Sequence, residues 1–269
     1  MIKKTQHYTF GDTDLAAQRL RLLARVFEPG SANLLRGLQG LQGLQDSRGT
    51  LGIDLGCGPG YTTRLVADQI SVERVVGLDQ SARLLEQAKR ESSDCRVSFM
   101  ECDISKSPLP TERADFLYAR FLLTHLADPA QVVRAWAASA LPNARLVLEE
   151  TAFMHGEHPA FPRYYGLVER MQAHYGQRMY IGRELEALST SPEWAVESAQ
   201  LATSQLSAAD MARLHFFNLQ TWSKDAFAQA NYVASELAQL GSELEQIAVG
   251  EIAAPPVSLG MGQIVLRRR

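Results

Sequence analysis

The chain is poor in cysteine and has no long apolar run, and each absence excludes a class of protein. Its three cysteines, Cys57, Cys95 and Cys102, cannot close a set of disulfides and lack the spacing of metal ligands. We therefore expect a cytoplasmic protein without a metal site. No stretch is long and apolar enough for a membrane span, and no apolar run follows the basic residues after Met1. We expect neither a membrane partner nor a signal peptide.

An excess of charge of one sign is also absent. The 269 residues include 27 Lys and Arg against 30 Asp and Glu, a formal net charge of −3. This balance gives no electrostatic reason to bind a polyanion, so nucleic acid is not expected as a partner. With 46% hydrophobic and 21% charged residues, the composition is that of a globular protein long enough for one large domain with additions.

What the sequence does contain is an apolar strand that leads into a glycine loop and then a helix. The strand is expected over residues 51–55, the loop over 56–60 and the helix over 61–70. Open α/β sheets bind nucleotides at such a junction. Gly56 and Gly58 let the backbone approach a ligand that any Cβ would push away.

The residues around this loop indicate which ligand it holds. The dinucleotide fingerprint has a third glycine where this chain has Tyr61. A carboxylate at Asp54 would repel a diphosphate but suits an ammonium group, directly or through water. Asp79 ends the next apolar strand, where an acidic side chain accepts hydrogen bonds from the two hydroxyls of a ribose. These features predict a nucleoside that carries an amino acid.

Four successive motifs resemble those of the class I S-adenosylmethionine-dependent methyltransferases, in the small-molecule branch similar to the ubiquinone and menaquinone biosynthesis enzymes. The resemblance covers roughly residues 48–150. The motifs are the loop 54–60, the ribose acid in 77–81, the Cys102-Asp103-Ile104 element, and residues 114–120 leading to His125-Leu-Ala-Asp-Pro129. One such motif alone is weak evidence, whereas four in register are strong evidence.

The resemblance implies a set of contacts to S-adenosylmethionine as the cofactor. It assigns to the cofactor the loop residues Asp54, Gly56, Cys57 and Gly58, the backbone near Arg120, the ribose acid Asp79, and the adenine contacts Gln80, Asp103 and Ile104. It also assigns Tyr8 and Arg19 to an N-terminal segment that closes over the methionine end. Arg19 would pair with the methionine carboxylate, and the alternative is a solvated helix residue. The alternative for Cys57 is a small buried filler.

Helical and strand periodicities alternate along the chain and predict an α/β fold. Helices are expected at 14–28, 61–70, 81–91, 129–140 and 182–190, and strands at 51–55, 74–78, 96–100, 114–118, 144–149, 195–203 and 263–266. The first helix is expected to stop at Pro29-Gly30. Such alternation specifies a parallel sheet with right-handed crossovers. The resemblance implies a Rossmann-like, doubly wound sheet of seven strands with the last one antiparallel.

Three segments fall outside this alternation. Residues 1–47 are expected to form an N-terminal helical lid segment, and residues 48–269 the S-adenosylmethionine-binding domain. Within that domain, residues 151–180 and about 208–257 are expected to be lid insertions that carry substrate specificity. They follow the fifth and sixth strands on the side of the sheet where ligands bind.

The lid insertions contain many aromatic residues with polar tips, which is typical of small-molecule pockets. Substrate contacts are expected from Tyr164, His174, Tyr180 and Trp222, and as a set they favour a flat or apolar acceptor. The alternative for each of them is that it packs the added helices onto the sheet.

A methyl acceptor needs a base only when it must lose a proton. His125, which follows the fourth strand, is the first candidate, and the alternative is that it hydrogen-bonds within its own turn. Glu150 is the second candidate. Strand alternation turns either Glu150 or its neighbour Glu149 towards the ligand crevice. His174 is a third and more distant candidate.

These observations leave three hypotheses from different classes. The first is methyl transfer to the oxygen, nitrogen or carbon of a small aromatic or apolar metabolite, with a place in secondary metabolism. The second is an enzyme with the same fold and cofactor that catalyses another reaction, such as a cyclisation. The third is a nucleotide-sensing protein without catalysis. A small molecule is the expected partner, and a homodimer stays open.

Overall fold

The structure, a computed structural model, describes residues 14–38 and 49–269 of the chain. Seven strands form its central sheet: β1 (Gly49–Leu55), β2 (Val72–Asp79), β3 (Val97–Glu101), β4 (Ala114–Arg120), β5 (Ala140–His155), β6 (Trp194–Leu206) and β7 (Val257–Arg268). Their spatial order is β3-β2-β1-β4-β5-β7-β6, and β7 runs antiparallel to both of its neighbours. This confirms the predicted doubly wound sheet with an antiparallel last strand.

Helices cover both faces of the sheet. They are α1 (Asp14–Leu38), α2 (Tyr61–Gln69), α3 (Ala82–Glu91), α4 (Pro129–Ala135), α5 (Ala160–His174), α6 (Leu185–Ser189), α7 (Ala208–Trp222), α8 (Ala226–Asn231) and α9 (Ala234–Val249). Short 3₁₀ turns lie at Leu123–His125, Trp136–Ser139 and Ile181–Glu184. The central strands are apolar on both faces because each face is buried under helices.

The two faces of the sheet bury different sets of side chains. On one face Ile53 and Leu55 pack in a cluster that contains Trp136, whose ring is fully buried. On the other face Phe116 and Tyr118 pack against Leu35 of α1 and residues of α2. Burial of side chains of this size stabilises the fold by about 1.5–3 kcal/mol each, so the sheet has an extensive core of its own.

Helix α1 is longer than the sequence predicts. It continues through Pro29 to Leu38, although the proline removes one backbone hydrogen bond from the helix. Beyond the proline, Leu34, Leu35 and Leu38 are buried against the sheet face, and this packing outweighs the local cost. The expected stop at Pro29-Gly30 is therefore wrong. Residues 39–48 lie outside the described residues.

The two expected lid insertions pack together as one helical layer. We call this layer the cap and define it as α5, α7, α8, α9 and the part of α1 before Pro29. It has its own apolar cluster, in which Tyr164 of α5, Met211 of α7 and Leu244 of α9 are fully buried. Phe27 of α1 joins the same cluster. The same cluster includes Val257, Leu259 and Met261, so the cap shares its core with the first part of β7.

Polar contacts fasten α1 to elements on both sides. Arg21 donates from Nε to Tyr61 Oη at 3.1 Å and from Nη2 to Glu91 at 2.9 Å, which ties α1 to α2 and α3. Arg25 pairs with Asp210 of α7 at 2.6 Å. These pairs are exposed, so each contributes little to stability, but together they fix the position of the helix.

The part of the chain that the structure describes lacks two features. None of its helices is both long and apolar enough to cross a bilayer. Within residues 14–38 and 49–269, no group of three or more His, Cys, Asp or Glu side chains could hold a metal ion.

Glycine replacements test both the continuation of α1 and the tight packing beneath the cap. A Cβ at Gly30 would meet no atom within 4 Å, so Gly30→Ala should raise the free energy of unfolding by about 0.5–1 kcal/mol. A Cβ at Gly182 would lie 2.3 Å from the Glu150 carbonyl oxygen, so Gly182→Ala should lower it by about 1–3 kcal/mol. Urea unfolding measures both, and a destabilised Gly30→Ala variant would contradict the continuous helix.

Candidate functional site

A cavity of about 520 Å³ lies where the carboxyl ends of β1, β2 and β4 meet the cap. The sheet side contributes the glycine loop after β1 and the residues that follow β2 and β4, while the cap side contributes α1, α5 and α7. Open α/β sheets bind ligands at this edge, and the volume is in the range of small-molecule sites. The cavity therefore joins a nucleotide-type edge to the cap in one continuous space.

The glycine loop adopts a backbone that requires glycine. Gly56, Gly58 and Gly60 have φ values of 69°, 51° and 79°, a region that side chains with a Cβ rarely adopt. The amides of Gly56 and Cys57 both donate to the Leu78 carbonyl, at 2.8 and 3.0 Å. Gly56, Cys57 and Gly58 all line the cavity. The loop thus presents its backbone to any ligand there.

Asp79 joins this loop to the start of α3. One carboxylate oxygen accepts from the Gly58 amide at 2.8 Å and the other from the Ser81 amide at 2.8 Å. Burial raises the pKa of Asp79, while these backbone amides favour its charged form. Asp79 and its neighbour Gln80 line the cavity, so the carboxylate lies at the ligand edge.

Asp103 and Ile104 form the next part of the cavity wall. The Asp103 carboxylate accepts from the Ser105 hydroxyl at 2.6 Å, and this bond is the main reason that its pKa is lowered. The Ile104 carbonyl accepts from the Trp136 indole N–H at 2.8 Å. Both residues line the cavity, in positions fixed by these bonds.

Two buried arginines line the cavity. Arg120 ends β4, donates from Nη1 to the Ser31 hydroxyl at 2.9 Å and lies with its guanidinium 5.6 Å from the Phe121 ring. Arg19 of α1 is 4% exposed, and its Nη1 lies 3.4 Å from the Asn218 side-chain oxygen. The alternative that Arg19 is a solvated helix residue does not agree with this burial.

Asp54 lies behind the loop and does not line the cavity. It accepts hydrogen bonds from the hydroxyls of Thr62 and Thr63, at 2.6 and 2.7 Å. Burial raises the pKa of Asp54 to about 6, and the two hydroxyls oppose that shift. Of the two expected contacts with an ammonium group, the direct one does not agree with this position, because both threonines belong to α2 and hold the carboxylate against the base of that helix. The contact through water stays a prediction.

Glu150 and His125 lie together on the sheet side of the cavity. Glu150 accepts from the amides of Leu122 and Leu123, at 2.7 and 2.6 Å, and so holds the turn that carries His125. Burial raises the pKa of Glu150 to about 8. Burial and then the charge of Arg19 lower the pKa of His125 to about 4. At neutral pH both side chains are therefore mainly uncharged.

The neighbouring acid points away from the cavity. Glu149 accepts from the Tyr118 hydroxyl at 2.5 Å and from the Gln263 amide at 2.7 Å, on the other face of the sheet. Strand alternation thus turns Glu150, and not Glu149, towards the ligand edge.

Comparison with known proteins agrees with this geometry. Residues 53–148 match the family described as Methyltransferase domain. Residues 53–148 therefore form a domain of the class I S-adenosylmethionine-dependent methyltransferase type. A trans-aconitate 2-methyltransferase of Rhizobium etli is 41% identical over 76 residues, which are 28% of this chain and 28% of that protein. The chain matches about a third of the length of its curated relatives.

Solved structures extend the likeness over most of the fold. The N-methyltransferase NodS of Bradyrhizobium japonicum, solved with S-adenosylhomocysteine, has a TM-score of 0.52 at 13% identity and covers 95% of this chain and 99% of its own. The [4+2]-cyclase SpnF has a TM-score of 0.55 at 16% identity over 89% and 82% of the two chains. At these identities the likeness establishes the fold alone, and that fold hosts more than one reaction.

The structure brings only one of the four expected substrate residues to the cavity. Tyr164 lines it, whereas His174, Tyr180 and Trp222 do not. His174 lies at the exposed end of α5, where it stacks on Phe227 with ring centroids 4.4 Å apart. The Trp222 ring is fully buried in the cap core. For these residues the geometry agrees with the alternative that they pack the added helices and do not contact a substrate. Tyr8 lies outside the described residues.

Sequence analysis missed three polar residues that line the cap side of the cavity. They are Gln172 of α5 and His215 and Asn218 of α7. The signal was present, because Met211, Leu214, His215 and Asn218 recur at helical spacing and share one face of α7.

A glutamine at position 150 separates a positioning role from a base role. Since the unfolded chain loses this proton near its ordinary pKa of 4.5, and the folded chain keeps it to about pH 8, stability falls with rising pH between these values. Glu150→Gln keeps an acceptor oxygen for the two amides and has no proton to lose. Its free energy of unfolding, relative to the wild type, should therefore increase from pH 5 to about pH 8.

Chemical denaturation at several pH values measures this difference, and the remaining buried groups titrate alike in both proteins. A constant difference would show that Glu150 is not perturbed by burial. Activity provides the second readout, because a base at Glu150 predicts loss of turnover in the glutamine variant at every pH.

Proposed function

We propose that the protein transfers the methyl group of S-adenosylmethionine to a small molecule bound under the cap. The observation that carries this proposal is the single cavity that joins the glycine loop, Asp79 and Asp103 to the apolar interior of the cap. A nucleoside at the sheet edge and an acceptor beneath the cap would meet inside that space. The matching family domain includes the glycine loop, Asp79 and Asp103.

The residues on the sheet side fit the parts of this cofactor. Asp79 would accept from the ribose hydroxyls, and Asp103 from the adenine amino group, while the Ile104 amide would face the ring edge and Gln80 the ring face. A Cβ at Gly58 would lie 3.9 Å from Leu20 and 4.0 Å from Leu84, both of which line the cavity. The space in front of this glycine is therefore open to a ligand.

The methionine end would lie between the loop and α1. The Gly56 region and the backbone near Arg120 would hold the ammonium, and Arg19 the carboxylate. Arg19 is buried beside the cavity and can make two parallel bonds to a carboxylate. Asp54 contributes indirectly, because it fixes α2 behind the loop.

Bound S-adenosylmethionine supplies an activated methyl group and a neutral leaving thioether. The protein must align the acceptor with this group and exclude water, and alignment can supply several kcal/mol of the barrier. Leu23, Phe27, Phe121 and Met179 provide apolar walls for that purpose. We infer that positioning, and not covalent chemistry by the protein, dominates the reaction.

His125 is the proposed proton acceptor for substrates that must lose a proton. It lines the cavity and its ring is unprotonated at neutral pH, so a nitrogen is available, but the pKa of about 4 makes it a weak base in the free protein. Glu150 is the second candidate, but its carboxyl already holds the amides of Leu122 and Leu123. We propose that Glu150 mainly positions the turn that carries His125.

The apolar walls support a flat or apolar acceptor, whereas the Rhizobium etli relative is named for the methylation of trans-aconitate. An acceptor in secondary metabolism, a cytoplasmic location and a homodimer remain part of the proposal and not of the findings. The size of the cavity and the formal net charge of −3 support a small molecule over nucleic acid. A cyclisation on the same cofactor fold stays the second candidate, and it differs in forming no S-adenosylhomocysteine.

Replacement of the ribose acid tests cofactor binding. Asp79→Ala should weaken S-adenosylhomocysteine binding by about 1.5–3 kcal/mol, because two hydroxyls lose a charged acceptor and the Gly58 amide loses its partner. Isothermal titration calorimetry measures the change. Asp68→Ala is the matched control, since Asp68 is exposed on α2 and does not line the cavity.

Two outcomes would oppose the proposal. Wild-type protein that fails to bind S-adenosylhomocysteine would exclude this cofactor. An Asp79→Ala variant with wild-type affinity would remove the ribose assignment. Formation of S-adenosylhomocysteine from S-adenosylmethionine and a panel of acceptors then distinguishes methyl transfer from cyclisation and from sensing.

A further inference from the structure

The cap side of the cavity contains a buried polar pair that the proposed cofactor contacts do not use. Tyr164 of α5 and His215 of α7 are 1% and 2% exposed, and both line the cavity. Their rings stack with centroids 4.2 Å apart and planes inclined by 21°. The stacking fixes both side chains in orientation, as recognition of a small ligand requires.

Each ring has one buried polar atom without a partner in full hydrogen-bond geometry. Among the residues that the structure describes, His215 Nδ1 has no such partner, and the Tyr164 hydroxyl has only contacts outside that geometry, with the side chains of Trp222 and Asn218. The other nitrogen, His215 Nε2, lies 3.3 Å from the Tyr165 hydroxyl. Buried polar atoms are nearly always paired, so two adjacent exceptions at one cavity wall indicate the position of a ligand.

Both groups are uncharged at neutral pH. Burial lowers the pKa of His215 to about 3 and raises the pKa of Tyr164. The nearby side chains of Gln172 and Asn218 are amides, and the Arg19 cation is assigned to the methionine carboxylate of the cofactor. A carboxylate or ammonium placed against the pair would lose its hydration without gaining an opposite charge from it.

We propose that Tyr164 and His215 bind an uncharged oxygen, a hydroxyl or a carbonyl, at one end of an otherwise apolar acceptor. This inference rests on the proposed methyl transfer and specifies the class of acceptor. The Tyr164 hydroxyl donates to that oxygen. His215 Nδ1 accepts from a substrate hydroxyl in one tautomer and donates to a carbonyl in the other.

The walls beside the pair define the rest of the acceptor. Val168 precedes Gln172 by one helical turn on α5, and Met211 and Leu214 flank His215 on α7. All three are apolar and line the cavity. The acceptor therefore has an apolar body, its remote oxygen against the pair and its methylated atom towards the cofactor.

Three naphthalene probes that differ in one substituent test this inference by calorimetry with saturating S-adenosylhomocysteine. They are a diol with one hydroxyl on each ring, the naphthol that lacks the second hydroxyl, and the hydroxynaphthoate that has a carboxylate instead. The diol should bind about three- to tenfold more tightly than the naphthol, the range for a neutral hydrogen bond. The hydroxynaphthoate should bind more weakly than both.

Matched variants assign the difference to the pair. Tyr164→Phe and His215→Phe keep aromatic rings and should each reduce the preference for the diol while leaving naphthol affinity unchanged. Tyr175→Phe is the control, because the Tyr175 hydroxyl bonds to Asp225 and does not line the cavity. This variant should keep the full preference for the diol.

The outcomes separate this inference from the proposed function. Absence of S-adenosylhomocysteine binding overturns the proposed function itself. Normal S-adenosylhomocysteine binding together with equal affinity for all three probes, binding of none of them, or preference for the carboxylate overturns the neutral-oxygen site alone. Preference for the diol that persists in both phenylalanine variants also overturns it.

Discussion

The ligand edge of this protein depends on the two hydrogen bonds that the Asp79 carboxylate accepts from backbone amides. They connect the glycine loop after β1 to the first turn of α3, so two separate segments take one fixed arrangement. The glycines allow a left-handed backbone, and the hydrogen bond from the Gly58 amide to the carboxylate stabilises it. A buried acid is unfavourable by itself, and here the oriented amides offset part of that cost.

Glu150 provides the equivalent anchor one layer closer to the cap. It holds the turn after β4 by two amides, and Leu122 of that turn packs directly over Gly56. The two anchored segments therefore support one another across the cavity mouth. Both anchors are carboxyl groups on sheet strands, so hydrogen bonds within the protein hold the cavity floor in place without a ligand.

The sheet and its glycine loop were predictable from sequence because their signals are local. A strand, three glycines and an acid at fixed spacing lie within a few tens of residues of one another. The cap side was not predictable in the same way. Arg19 and Asn218 are 199 residues apart in the sequence, and no local pattern in either helix shows that these two side chains lie together. The stop expected at Pro29 was wrong for a similar reason. Leu34 and Leu35 pack against sheet residues that are distant in the sequence, and this packing stabilises the helix beyond Pro29.

Helix α1 belongs to two cores at once, with Phe27 in the cap cluster and Leu35 in the sheet cluster. Between them, Arg19 reaches the cavity. A ligand that contacts this helix binds only the folded state and therefore stabilises the packing of α1 in both clusters. Linkage also implies the reverse. A substitution that weakens the packing of α1, even far from the cavity, should lower the affinity for the ligand. Thermal stability and ligand affinity therefore both depend on the packing of α1.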